Sequence, residues 1–144
     1  MADFFRPDDD LRALRPVVTA ASSPLPATGP TTVADFLHTV LRPVLKLQNP
    51  VLLAVVADFV ADHHMPLTRV APADQERLLA GLLARNTKLR YTVIGLVVGA
   101  FTTGELAFYR QHRPELNRRL LELATRRVQD QASTVGELLT SAAA

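Results

Sequence analysis

The stretch "TKLRYTVIGLVVGAF", residues 87–101, decides the fold. Its β-branched and apolar side chains suit a strand as well as a helix. A lone strand needs partners, however, and the segments on either side all carry a helical period. The stretch therefore reads as a buried helix, and the chain as all-α. It forms a single compact domain of about five or six helices behind an extended, proline-rich N-terminal arm.

Working outward, "PADQERLLAGLLARN" from Pro72 places acids in its first turn and Arg85 near its end, as a helix dipole prefers. On the other side, Thr102-Thr103-Gly104-Glu105 has the spacing of a capping box that opens "ELAFYRQH". Pro114 starts the last long helix, with Leu116, Leu120, Leu123, Ala124 and Val128 on one stripe. Arg118, Glu122 and Arg126 line its outer face as an ion-pair ladder. Upstream, Thr32 caps "VADFLHTVL" until Pro43 ends or kinks the helix. Asn49-Pro50 reads as a cap and restart for "VLLAVVADFVADH", which is apolar nearly all round.

Five of the ten prolines fall in the first thirty residues. Residues 1–31 read as an arm with a helical turn at Asp10–Leu14. Residues 32–131 form the helical domain, and 132–144 a small-residue tail. The absence of cysteine rules out disulfides and thiolate chemistry. The N-terminus has early acids and no long apolar core, and "VIGLVVGAF" is shorter than the ~20 residues a membrane helix needs. The expectation is a soluble, cytoplasmic protein without membrane contact.

Four groups of residues are candidates for function. Asp58, Asp62, His63 and His64, in "DFVADHHMP", are residue types that bind manganese or zinc, which makes a metal-dependent hydrolase or lyase one reading. A solvated helix end is the other, since histidine suits a helix C-terminus. Gly95 and Gly99 have small-xxx-small spacing, and glycine inside a helix costs about 1 kcal/mol against alanine. They imply close approach of another helix, within the fold or across a dimer. A phosphate loop would need a lysine and a preceding strand, which are missing. Arg118, Arg119, Arg126 and Arg127 form a basic run that can follow a phosphate backbone, with Tyr109 to stack on a base. Residues 85–127 carry nine bases against three acids, so the charge is uneven although the net charge is only +2. No Gly-x-Ser-x-Gly elbow and no cofactor motif occurs.

Two resemblances follow from these residues. "DHHMP" is similar to a signature segment of the DHH phosphoesterase family, which implies paired metal ions on those side chains. There the segment follows a β-strand, whereas "LLAVVADFVA" reads as a helix. More broadly, the chain resembles a family of short uncharacterised bacterial proteins, some of them labelled "glyoxalase". Leu41-Arg42-Pro43, Leu45-Lys46 and Gln48 match one motif. Gly95, Gly99, Phe101, Thr102, Glu105, Tyr109, Asn117 and Arg119 match the rest, and the likeness spans roughly residues 32–131. A metal-chelating glyoxalase needs βαβββ modules, and the helical reading supplies none. The resemblance implies structural roles for most of these residues, and leaves Arg42, Lys46, Gln48 and Tyr109 as a polar site. The reading that these features favour is a non-catalytic helical protein, without a cofactor, that binds itself or a protein partner. Metal-dependent hydrolysis and anion or nucleic-acid binding are the alternatives, and no small-molecule substrate is implied.

Overall fold

A computed structural model describes residues 6–16 and 32–142. Among the described residues every regular element is a helix, in one compact domain, so the all-α reading holds. Helix α1 covers Asp8–Ala13. Helix α2 (Val33–Phe36), a π-helical turn (Leu37–Leu41) and α3 (Arg42–Asp62) form one continuous rod of 30 residues. A 3-10 turn at Leu67–Arg69 leads to α4 (Pro72–Arg85), α5 (Thr87–Val98) and α6 (Thr103–Gln111). Helices α7 (Arg113–Asp130) and α8 (Ala132–Ala142) complete the chain.

Thr32 caps α2 as expected, accepting from the Asp35 N–H. Neither proline then breaks the rod. At Pro43 the missing N–H and the bulk of the ring are met by the π turn, where the Arg42 N–H reaches back five residues to the Leu37 carbonyl. Pro50 sits inside α3 on its exposed side, so the Lys46 carbonyl that it deprives of a partner lies toward water. Asn49 is therefore no helix cap. Its amide is turned sideways, into a cross-link described below. The rod is long and apolar enough to cross a bilayer by length and composition. It packs along α5, α7 and α8, and it buries Leu45, Leu52, Leu53, Val56, Ala57 and Val60 among them.

The ambiguous stretch is helix α5. Asn86 caps it by accepting from the Leu89 N–H, and Leu89, Val93 and Val97 point inward. The capping box at Thr102 and Glu105 is complete, with both reciprocal bonds formed. Aromatic rings close this end of the core. Phe36 lies edge-on to Phe101 at 5.4 Å and stacked on Phe108 at 5.1 Å, which ties the start of the rod to α6. The segment read as a tail folds as α8, with Ala132 and Val135 buried. Its small residues allow close packing on α3, which is why the segment resembled a tail in sequence.

Most of the arm lies outside the described residues, but α1 and its flanks are placed. None of α1 is buried, so polar bonds hold it. Arg6 donates to the Phe101 and Gly99 carbonyls, which the end of α5 leaves without helical partners. Asp8 accepts from the Thr103 N–H at the start of α6. Arg15 makes a two-pronged ion pair with Glu105 and also donates to the Ala100 carbonyl. The Arg15 and Glu105 side chains keep only 8% and 9% of their surface.

Candidate functional site

The "DHH" segment is a helix terminus in a specific form. The Met65 N–H bonds the Val60 carbonyl and the His64 N–H bonds the Ala61 carbonyl, the two crossing bonds of a Schellman cap. His64 takes the left-handed position that such a cap usually gives to glycine, at φ 52°. His63 holds both ring nitrogens in place. Nδ1 donates to the Phe59 carbonyl at 2.8 Å, and Nε2 accepts from the Asn86 amide at 3.1 Å. This assignment makes His63 a tie between the end of α3 and the cap of α5. Asp58, Asp62 and His64 lie exposed beside it. Among the described residues, no group of three or more His, Asp or Glu side chains converges as a metal site would.

Of the two contacts expected of the glycines, the one with another helix of the same fold is absent among the described residues. Gly95 and Gly99 are exposed, and a Cβ added at Gly95 would meet nothing within 4 Å. Among the described residues, no other helix lies on Gly95. At Gly99 such a Cβ would press on the Gly95 carbonyl at 3.1 Å, so that glycine eases the end of its own helix.

The residues read as a polar site divide. Tyr109 is a core residue, 6% exposed, edge-on to Phe101, with its hydroxyl donating to Asn117. Burial raises its pKa, and the Asn117 bond and the charge of Arg113 offset part of that rise. It presents no face for a base to stack on. Gln48 donates to the Leu96 carbonyl at 2.7 Å, closing an unpaired end of α5. Arg42 and Lys46 remain exposed on α3.

The four arginines read as a basic run on α7 divide as well. Arg118 pairs with Glu122 at 3.3 Å and Arg119 reaches it at 3.8 Å, while Arg126 forms no ion pair with it, so the expected ladder has one full rung. Arg118 and Arg126 border an open groove of about 970 Å³ between α4, α5 and α7. Leu83, Ile94 and Leu121 supply its apolar floor. Arg90 lines it from α5, where it also donates to the Leu83 carbonyl. Tyr91 stands at the rim with 68% of its surface exposed. Arg127 points elsewhere, toward Asn49 on α3.

Sequence reasoning missed this groove, along with Arg15, Asn49 and Gln131. Tyr91, an aromatic residue directly after Arg90, was the available signal for it. Comparison of the chain with protein-family models, curated proteins and solved structures found no match. Function must therefore be argued from geometry.

Proposed function

We propose that the protein acts by binding: the groove between α4, α5 and α7 receives an acidic amphipathic helix from a partner protein. The observation behind this reading is the groove's composition. An apolar floor is bordered by Arg90, Arg118 and Arg126, with Glu122 the one acid lining it. Helix-in-groove recognition buries an apolar stripe and sets its polarity by flanking charge. From Asn117 to Gln129 the groove runs along α7 for about 18 Å at 1.5 Å per residue, the length of a three-turn helix. Tyr91 is the type of exposed aromatic that anchors such interfaces. A cytoplasmic location belongs to the same reading.

The test is a binding titration followed by backbone NMR. The ligand is a peptide of about four helical turns with leucines on one face and glutamates on the other. It should shift the signals of Tyr91, Ile94 and Leu121, and Tyr91→Ala and Arg126→Glu should each weaken binding. A lysine version of the peptide that binds equally well would sink the proposal. A homodimer that masks the groove in solution would reassign the occupant to a second copy of the chain.

A further inference from the structure

About 100° round α7 from Arg126, three cations gather with no carboxylate partner among the described residues. At about 100° per residue, Lys46 lies about 40° one way and Asn49 about 20° the other way round α3 from Arg42, so the three share one face. Arg127 approaches that face from α7 and donates to the Asn49 Oδ1 at 3.3 Å. Gln131 donates to the same oxygen at 2.9 Å and accepts from the Asn49 Nδ2 at 2.8 Å. The Asn49 amide is thus locked by Gln131, and it fixes where the guanidinium of Arg127 sits.

Arg127 is half-buried. Burial, and next the charge of Arg42, lower the pKa of Arg127, so the two arginines lie close enough to repel. Among the described residues, no carboxylate comes within ion-pair distance of Arg42, Lys46 or Arg127. Asp130, one turn further along α7, is exposed and takes no such pair. Folded proteins generally pair a partly buried cation with a carboxylate. Here an asparagine and a glutamine orient one cation, and no carboxylate among the described residues compensates its charge.

We propose that this corner of α3 and α7 binds a phosphate monoester. Arg127, held by Asn49, offers directed N–H donors, and Arg42 and Lys46 supply the remaining positive charge around a dianion. The groove between α4, α5 and α7 plays no part in it, so either site can fail without the other.

Phenyl phosphate titrated into the full chain tests this, followed through the arginine side-chain NMR signals. Saturable binding at about 1 mM or tighter is expected, with the largest shift at Arg127. Arg42→Gln and Lys46→Gln should each weaken it about tenfold, while Arg118→Gln should leave it unchanged. In phosphate-free buffer Arg42→Gln should melt at or above the wild-type temperature, because it relieves repulsion; a purely structural arginine would lower it. Failure to saturate, or equal weakening by Arg118→Gln, overturns the site. So does single-stranded DNA that binds in proportion to its length when phenyl phosphate does not bind, since that marks a diffuse polyanion surface.

Discussion

Two charged regions of this molecule behave in opposite ways. Asp58, Asp62, His63 and His64 are neighbours in sequence, and they end as an exposed helix terminus whose histidines tie and turn the backbone. Arg15 and Glu105 are 90 residues apart, and they meet as a buried, two-pronged ion pair. Adjacency along the chain set chemistry side by side without bringing it to a point. The separated pair converged because each partner had a structural reason to be there. Glu105 completes the cap of α6, and Arg15 follows α1, a helix with no buried residue of its own.

The most direct way to break this comparison is Arg15→Ala. It leaves the carboxylate of Glu105 buried without its cation, and removing one partner of a buried pair costs about 3–5 kcal/mol. Urea unfolding should show a loss of that size. The paired replacement Arg15→Met with Glu105→Leu should restore most of it, since no charge is then stranded. A loss below about 1 kcal/mol would mean that α1 is undocked in solution.

Acid sharpens the same contrast. Burial pushes the Glu105 carboxyl up, but its bonds to Arg15 and to the Thr102 N–H together outweigh burial and hold it below its ordinary value of 4.5. A carboxylate whose folded pKa is depressed stabilises the fold above the unfolded pKa, and that contribution is lost as pH falls through the folded value. Wild type should therefore exceed Glu105→Gln in stability by a constant margin above about pH 5, and the margin should shrink below about pH 4. A margin that does not change with pH would show that the carboxylate charge contributes nothing.

How much of this was visible in advance depends on the range of each interaction. The capping box at Thr102 and Glu105 and the start of α4 at Pro72 are local, and the sequence alone placed them. Pro43 and Pro50 misled because a proline interrupts a helix only when nothing absorbs it; here a π turn and an exposed face did so. Gly95 and Gly99 carry the spacing of a contact, but among the described residues no helix of the same fold lies on Gly95, and spacing contains no information about what lies opposite. The polar corner was half visible: Arg42 and Lys46 stood out as residues packing did not explain. Their companion was Arg127, which only the crossing of α3 and α7 supplies, while Gln48 and Tyr109 were taken up by α5 and α7.

His64 gives a smaller test with the opposite sign. A non-glycine residue in the left-handed region costs about 1 kcal/mol, and the Schellman cap needs that conformation whichever residue occupies it. His64→Gly should stabilise the protein by up to about 1 kcal/mol, less the entropy that glycine loses on folding. Destabilisation would mean that the imidazole makes a contribution beyond its backbone.

The smallest effect lies with the carboxylates beside it. Asp58 and Asp62 are exposed, so Asp58→Asn and Asp62→Asn should each change stability by no more than about 0.5 kcal/mol. His63→Ala, which unties α3 from the cap of α5, should cost about 1 kcal/mol. A metal site inverts that ranking only when metal is present. A bound ion stabilises the folded state in proportion to the logarithm of its concentration over Kd, and losing any ligand removes that gain. Melting curves with and without manganese or zinc therefore separate the two readings. Unchanged curves in all four proteins leave the segment as a helix end. A saturable rise in wild type that Asp58→Asn, Asp62→Asn and His63→Ala each abolish would make adjacency in sequence the better guide after all.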